Sequence, residues 1–233
     1  MQVDDVVEDM TDVEQVARTI FGDRLALVHR YAELLAEHGV ERGLIGPREV
    51  ERLWERHLLN SAVIGEVIEP GARLVDVGSG AGLPGIPLAI ARPDLTVVLV
   101  EPMARRVEWL SFMAAELDLP VRVIRGRAEE LAVRTAAGGA DAVTARAVAP
   151  LGRLAGWCLP LLRPAGRLVA IKGVSAPEEV ERDRADLIAA GGQDPRVTQC
   201  GVGVLDVPTT VVVVERATPL PAAVRRRRAR KDR

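Results

Sequence analysis

Aromatic residues are scarce in this chain of 233 residues, where they make up 3% of the sequence. Six rings cannot provide a platform on which many nucleic-acid bases stack, so that mode of binding is disfavoured. No run of about 18 apolar residues occurs, which argues against a membrane-spanning helix. The acidic N-terminus also lacks the pattern of a signal peptide. We therefore expect a cytoplasmic protein that does not bind membranes.

Cysteine is limited to Cys158 and Cys200, which lie far apart in apolar or glycine-rich segments. Two free thiols are typical of a protein in a reducing compartment. Neither cysteine has a histidine at the spacing that metal ligands show. We therefore predict that the protein holds no metal.

Lysine is nearly absent, because 31 basic residues include only Lys172 and Lys231 as lysines. The net charge of −2 hides an asymmetry. Residues 225–233 read RRRRARKDR, with seven basic residues and one acidic residue, which leaves −8 on residues 1–224. Such a tail can meet phosphates without sequence preference, or it can be a disordered end that aids solubility. The sequence leaves both interpretations open.

Residues 1–70 contain no convincing strand. Apolar residues recur at helical spacing in three segments, the first with a possible cap at Thr11 and the third starting at Pro47. The core of such a segment would be small on its own. We therefore predict a helical extension over 1–70 that packs on the main domain.

From Arg73 onward, strand and helix patterns alternate, which is typical of a parallel sheet covered on both faces. The predicted strands lie near 73–77, 96–100, 121–124, 141–144, 167–171, 197–204 and 209–215. The predicted helices lie near 84–91, 103–117, 128–134, 150–162 and 177–190. The last two strands are too close in sequence for a parallel crossover and must form an antiparallel pair. The prediction is an α/β fold with a doubly wound, mostly parallel, seven-stranded Rossmann-like sheet over 71–217 and a basic tail over 218–233.

A glycine-rich stretch follows the first predicted strand and reads LVDVGSGAGLPGIP over 74–87. Glycines let the backbone turn sharply and approach a ligand closely, and we expect free N–H groups at the N-terminus of the next helix. The second predicted strand ends in Glu101, where a carboxylate is placed to hold the two hydroxyls of a ribose. Together these features predict a site for an adenosine-containing cofactor.

The spacing of the glycines bears on which cofactor binds. The dinucleotide fingerprint needs a third glycine at the position of Leu83, and no Lys or Arg lies between Arg73 and Arg92 to balance a pyrophosphate. S-adenosylmethionine carries a sulfonium, an ammonium and a carboxylate but no phosphate, so the acidic Asp76 near the loop suits it better. We predict S-adenosylmethionine, with a dinucleotide or a glycine turn without ligand as the alternatives.

In a sheet of this kind the ligand lies at the carboxyl ends of the strands. The ends of five successive predicted strands carry candidate residues for one cleft. They are Asp76, Gly78, Glu101, Ala128, Glu129, Arg146 and Lys172. Gly80 of the glycine-rich loop is a further candidate for the cofactor site.

Six sequence blocks between Arg56 and Gly173 occur in the order that one family shows. They are HLLNS at 57–61, DVGSGAGLPGIPLAI at 76–90, RRVEWL at 105–110, GRAEE at 126–130, TARAV at 144–148 and IKG at 171–173. The chain thus resembles the small-subunit ribosomal RNA methyltransferase G family, also called GidB, which has the class I S-adenosylmethionine-dependent methyltransferase fold. It departs from the family pattern at four positions. Asn60 and Glu101 replace the usual Asp, Arg105 the usual Lys and Trp109 the usual Phe.

The resemblance implies methylation of guanine N7 in 16S ribosomal RNA, in the loop near the decoding site. It implies 16S ribosomal RNA or the small ribosomal subunit particle as the partner, and cofactor contacts at Gly78, Leu83, Ala128, Glu129 and Arg146. We expect the protein to be a monomer. Guanine N7 carries a lone pair and no proton, so no base is needed and catalysis depends on positioning. The alternatives are a methyltransferase for a small molecule or a protein, and a non-catalytic RNA-binding module.

Four basic residues are candidates for contacts with the substrate RNA, and no residue is assigned as certainly catalytic. Arg146 is a positioning candidate that can hold the methionine carboxylate, guanine O6 or a phosphate, with a surface salt bridge as the alternative. Lys172 is a second candidate, since a lysine in an arginine-rich chain suggests a compact charge for a phosphate. Arg105 and Arg106 extend the basic rim or form a solvated helix face. His57 is expected to be a packed, hydrogen-bonded core histidine.

Overall fold

The computed structural model describes residues 3–218, and their side chains from residue 12 onward. Within this part of the chain, no helix has the length and apolar character needed to cross a bilayer. The arginine-rich run predicted as a tail at 225–233 lies outside the described residues.

A seven-stranded sheet forms the centre of the molecule, in the order β3-β2-β1-β4-β5-β7-β6. The strands β1 to β5 are parallel, and β7 is antiparallel to both of its neighbours. The predicted doubly wound, mostly parallel sheet is confirmed. Its strands are β1 (Arg73–Val77), β2 (Thr96–Glu101), β3 (Arg122–Arg125), β4 (Ala140–Arg146), β5 (Leu162–Ile171), β6 (Gly192–Cys200) and β7 (Thr209–Arg216).

Helices cover both faces of this sheet. They are α1 (Val3–Phe21), α2 (Leu25–His38), a π-helix (Leu53–Leu59), α3 (Asn60–Ala62), α4 (Gly85–Ala91), α5 (Ala104–Glu116), α6 (Leu131–Ala137), α7 (Leu151–Cys158) and α8 (Ala176–Ala189). Residues of α1, α2, the π-helix, α4 and α5 form the core on one face, and residues of α6, α7 and α8 form the core on the other.

The alternation of side chains along β1 assigns its residues to the two cores. Leu74 belongs to the core under α4 and α5, whereas Val75 and Val77 belong to the core under α6 to α8. Successive side chains of a strand point to opposite faces, so Asp76 lies on the same face as Leu74. This placement determines the role of Asp76 described below.

The N-terminal extension shares one core with the sheet. Phe21, Tyr31 and Leu58 of the extension are buried in the same cluster as Leu99 of β2 and Trp109 of α5. The extension therefore packs on the sheet, as predicted. The domain limits at 1–70, 71–217 and 218–233 stay a prediction.

Two predicted helices of the extension differ from the observed ones. α1 begins at Val3, so Thr11 lies inside the helix rather than at its cap. The helix predicted after Pro47 is a 3-10 turn at Pro47–Glu49, followed by the π-helix over Leu53–Leu59. π-helical turns are rare and frequently occur at functional sites.

β6 begins five residues earlier than predicted, at Gly192. Its pairing with β7 is irregular between Gln193 and Arg196, and Asp194 between them has a φ of 55°. Pro195 lies in this segment, and proline is atypical of a strand interior. A bulge of this kind is tolerated in β6 because it is an edge strand.

The antiparallel pair at the C-terminal end is present, with β7 inside the sheet and β6 on its edge. β7 starts at Thr209 beside the carboxyl ends of the parallel strands, where Val211 pairs with Ile171. It ends at Arg216 on the opposite side of the sheet, where Glu215 pairs with Arg167. β7 thus supplies hydrogen bonds to two strands.

Two buried side chains hold the glycine-rich loop through one carbonyl oxygen. The hydroxyl of Tyr31 on α2 donates to the Ala81 oxygen at 2.9 Å, and Nε1 of Trp109 on α5 donates to the same oxygen at 2.8 Å. Both side chains are fully buried. The extension and α5 therefore fix the loop from two directions.

We expect Tyr31→Phe to lower the free energy of unfolding by about 1 kcal/mol, because Trp109 still satisfies the Ala81 oxygen. In a Trp109→Phe background the same change should cost about 2 kcal/mol, since the buried oxygen then has no partner. Urea denaturation of the four proteins measures this coupling. Strictly additive effects would contradict the shared-acceptor arrangement.

Candidate active site

A cavity of about 570 Å³ opens at the carboxyl edge of the sheet. It lies where the strand order reverses between β1 and β4, which is the usual ligand position in such sheets. Loops after β1, β2, β3 and β4 form its wall together with residues 44–46, Glu49 and His57 of the extension. The predicted residues in its wall are Gly78, Gly80, Leu83, Glu101, Arg106, Ala128, Glu129 and Arg146.

The glycine-rich loop after β1 depends on glycine for both conformation and space. Gly78 has a φ of 71°, in the left-handed region that favours glycine. A Cβ at Gly78 would lie 2.9 Å from Cγ2 of Val148, which belongs to the loop after β4. Gly78 therefore lets the two loops approach each other across the cavity.

Most N–H groups of this loop already have acceptors inside the protein. Those of Gly78 and Ser79 donate to the Val100 oxygen, and those of Gly82 and Leu83 donate to the Ser79 oxygen. The expectation of free N–H groups at the start of the next helix is also wrong for Gly85 and Ile86, whose N–H groups donate to Oδ2 of Asp76 and to the Gly82 oxygen. What Gly78 and Leu83 can still offer to a ligand is a carbonyl oxygen.

Glu101 ends β2 at the cavity wall with 1% of its surface exposed. Its Oε2 accepts the N–H of Gly80 at 3.0 Å, and its Oε1 accepts the N–H of Met103 at 3.0 Å. Each carboxylate oxygen has a further lone pair. The carboxylate is thus rigidly held and keeps the capacity to accept hydrogen bonds from two hydroxyls.

Asp76 is fully buried and is absent from the cavity wall. Its Oδ2 accepts the N–H of Gly85 at 3.2 Å, and its Oδ1 accepts the hydroxyl of Thr144 at 3.3 Å. The expectation that Asp76 lines the cleft is wrong, because the strand alternation turns it toward α4. Burial raises the pKa of Asp76 to about 7. Its carboxyl group joins the start of α4 to β4.

Ala128 and Glu129 follow β3 and line the cavity, with Ala128 buried and Glu129 exposed. They belong to a loop rather than to the helix predicted from 128, because α6 begins at Leu131. A Cβ at Gly126 would lie 2.5 Å from Cγ2 of Val133. Glycine at this position allows the sharp turn that brings the pair to the wall.

Arg146 ends β4 and is largely enclosed by the extension. Its guanidinium donates to the oxygens of Arg56 and His57, to the hydroxyl of Ser61 and to Nδ1 of His57. On its other side, Nε2 of His57 lies 2.6 Å from Oε2 of Glu49. The structure thus brings Arg146, His57 and Glu49 together in the cavity wall.

Lys172 and Arg105 are not part of the wall. Nζ of Lys172 lies 2.9 Å from Oε2 of Glu179 and 3.1 Å from the Ala149 oxygen, and the side chain is 11% exposed. Arg105 is exposed on α5, and the next residue, Arg106, reaches the wall with its buried Nε unpaired. The contact of Lys172 with a phosphate stays a prediction, and in this structure its charge is balanced by Glu179.

Several wall residues were not assigned to the site from the sequence. They are Leu44, Ile45, Gly46, Glu49, His57, Met103, Arg127 and Trp157. Arg127 is adjacent to the predicted Ala128, so its place in the cavity wall could have been predicted from the sequence. The place of the segment 44–49 could not, because only tertiary packing brings the extension to the edge of the sheet.

The two cysteines are buried free thiols. Among the side chains described, those of residues 12–218, no group of three or more His, Cys, Asp or Glu is arranged to hold a metal ion.

Comparison with known proteins identifies the family. A family model described as rRNA small subunit methyltransferase G (GidB) matches residues 24–206. The chain belongs to the ribosomal RNA small subunit methyltransferase G family. The curated family member from Mycobacterium marinum is 58% identical over 204 residues, which cover 88% of this chain and 90% of the relative. The member from Salinispora arenicola is 57% identical over 230 residues, with 93% of each chain covered.

Solved structures share the fold at low sequence identity. Aeropyrum pernix fibrillarin, described with natively bound S-adenosyl-L-methionine, gives a TM-score of 0.52 at 19% identity and covers 69% of this chain and 75% of its own. An S-adenosylmethionine-dependent methyltransferase from Aquifex aeolicus gives 0.52 at 19% identity, with 76% and 96% covered. The predicted class I methyltransferase fold is confirmed, and the cofactor of this family member is S-adenosylmethionine.

The cavity fits this cofactor on its own donor set. The loop after β1 presents few free N–H groups, so it lacks the amide cradle that a pyrophosphate needs. Glu101 offers a fixed acceptor where hydroxyls of a ribose must bind. When bound, the cofactor supplies a methyl group carried by a sulfonium. The dinucleotide alternative has no support in this geometry.

We expect Gly78→Ala to weaken the binding of S-adenosylhomocysteine by about tenfold or more, because Val148 must move into the cavity wall and its branched side chain has few alternative rotamers. Gly71→Ala is a matched control, since Gly71 has a φ of 69° and open space around its Cβ position. Both variants carry the same backbone strain. Calorimetry should show reduced affinity for the first variant only; equal affinities would contradict the packing argument.

We expect the stability of the wild-type protein to depend on Asp76. Folding raises the pKa of this carboxyl from 3.8 to about 7, because the folded state favours the neutral form. The folded protein is therefore most stable, with respect to this group, below pH 3.8, and it loses that stability as the pH rises from 3.8 to about 7. Asp76→Asn removes this loss. Relative to wild type, the variant should gain at least about 1.4 kcal/mol between pH 4 and pH 8, the value of one pKa unit. If the free energy of unfolding, measured by urea denaturation, changes with pH equally in the wild-type protein and in Asp76→Asn, the assignment is contradicted.

Proposed function

We propose that this protein methylates N7 of a guanine in 16S ribosomal RNA, at the guanine-527-type position in the loop near the decoding site. Membership of the ribosomal RNA small subunit methyltransferase G family supports the substrate class. The proposed partner is 16S ribosomal RNA or the small ribosomal subunit particle. We propose that the protein acts as a monomer in the cytoplasm.

The observation that carries the proposal is the state of His57 in the cavity wall. Both ring nitrogens of His57 are engaged, one with Arg146 and one with Glu49. The imidazole is therefore not free to take a proton from a substrate. Guanine N7 has a lone pair and no proton, so methyl transfer to it needs no such group.

Positioning is then the main contribution of the protein. The reaction requires N7 about 3 Å from the methyl carbon and in line with the bond that breaks. Glu101 is proposed to hold the ribose, and Ala128 and Glu129 to face the adenine. Gly78, Gly80 and Leu83 are proposed to line the rest of the cofactor. These three positions share the loop that Tyr31 and Trp109 fix.

Contacts with RNA are proposed for basic residues around the cavity. Arg105 and Arg106 form no ion pair within the described residues, which leaves their charges available to phosphates. Arg146 and Lys172 already form hydrogen bonds inside the protein, to the Arg56 oxygen and to Glu179. Their proposed role is to attract the RNA by the positive charge that these bonds hold in place. The arginine-rich run at 225–233 is a further candidate that lies outside the described residues.

The test compares 16S ribosomal RNA from cells with and without this gene. N7-methylguanosine is cleaved after borohydride and aniline treatment, so we expect one scission near the decoding site that disappears when the gene is deleted. Complementation with the wild-type gene should restore it, and the Gly78→Ala gene should restore it poorly. An identical cleavage pattern in both strains would overturn the substrate assignment while leaving cofactor binding intact.

A further inference from the structure

Arg146 is held by the extension through both terminal nitrogens of its guanidinium. Nη1 donates to the His57 oxygen and to the Ser61 hydroxyl, each at 3.3 Å. Nη2 donates to the Arg56 oxygen at 2.9 Å and also contacts Nδ1 of His57. The two terminal nitrogens carry four hydrogens, and these four contacts use them all. Arg146 therefore has only its Nε–H and its charge left for a ligand.

This arrangement fixes the proton of His57. Arginine has no acceptor, so Nδ1 must be the unprotonated nitrogen. The proton then lies on Nε2, which donates to Glu49 at 2.6 Å. His57 is thus a neutral ring that joins a cation on β4 to a carboxylate on the turn before the π-helix.

Burial and the neighbouring charges together lower the pKa of His57 and so favour this neutral state. Burial is the largest cause that lowers the pKa of His57, and the charges of Arg146 and Arg56 act in the same direction. Glu49 opposes them. From α2, Tyr31 is the titratable group that acts on Arg146.

The joined groups belong to the wall of the cofactor cavity. Glu49, His57 and Arg146 all line it, as do residues 44–46 just before the turn. The ring is therefore the link between the sheet edge and the segment of the extension that closes one side of the cavity.

We propose that His57 is a positioning residue for methyl transfer, which holds Arg146 in the cavity wall only while its Nδ1 carries no proton. Protonation would turn an N–H toward the guanidinium N–H and place two cations in contact. Arg146 would then lose its contact with the ring, and affinity for the cofactor would fall. This inference concerns the cofactor and does not depend on which base of the RNA is methylated.

Two substitutions separate the two sides of the ring. His57→Asn keeps an oxygen near the position of Nδ1, so it preserves the acceptor for Arg146 and loses the link to Glu49. His57→Gln keeps an amide nitrogen near the position of Nε2, so it preserves the link to Glu49 and loses the acceptor. We expect His57→Gln to weaken S-adenosylhomocysteine binding at pH 7.5 by about tenfold, the effect of leaving a charged donor unpaired. His57→Asn should stay within about twofold of wild type on the same reasoning.

A further variant tests whether the effect passes through Arg146. In an Arg146→Gln background, His57→Gln should cause no additional loss of affinity. His38→Gln, on α2 and outside the cavity wall, is the matched histidine control and should bind as wild type does. Thermal unfolding of each variant separates loss of binding from loss of fold.

The pH dependence tests the proton directly and needs no variant to fold. Wild-type affinity for S-adenosylhomocysteine should fall as the pH drops below 6.5, the ordinary pKa of histidine, and calorimetry in two buffers should show proton release on binding at acidic pH. His57→Asn should show neither effect. The proposal is overturned if the wild-type protein and His57→Asn show the same dependence of affinity on acidic pH, or if His57→Asn and His57→Gln weaken binding equally.

Discussion

The site depends on the hydrogen bonds that the backbone of the glycine-rich loop forms with the protein around it. Strand β2 accepts its first N–H groups through Val100 and Glu101, and Asp76 accepts the N–H at the start of α4. The one carbonyl at Ala81 takes two side-chain donors. A loop with so few free donors has little to offer a phosphate group, so its internal hydrogen bonds already select against a dinucleotide.

The same constraint makes the extension part of the cofactor site. Tyr31 reaches the loop from α2, and Arg146 reaches back from β4 to the π-helix. The extension and the sheet therefore meet on both sides of the cavity through buried polar contacts. Such contacts are costly to leave unpaired, so the two parts of the chain hold one another in a single arrangement.

The features that follow from local pattern could be predicted from the sequence. Apolar runs gave the strands, and the spacing of glycines together with Glu101 gave the cofactor. The face of the sheet on which the Asp76 side chain lies could also be predicted, since residues two apart in a strand, such as Leu74 and Asp76, share a face. The environment of His57 could not be predicted, because Arg146 lies 89 positions away. Lys172 shows the same limit, since its residue type suggests a compact charge for a phosphate, whereas its partner Glu179 becomes apparent only in the fold.

The place of β7 has a consequence for the order in which the protein matures. β7 is the last described strand of the chain, yet it lies between β5 and β6 and is the sole strand neighbour that β6 has. Until residues 209–216 have been synthesised, β5 keeps an open edge and β6 has nothing to pair with. Unpaired strand edges invite association with other chains. A nascent chain that lacks these residues is therefore exposed to aggregation until β7 has been synthesised.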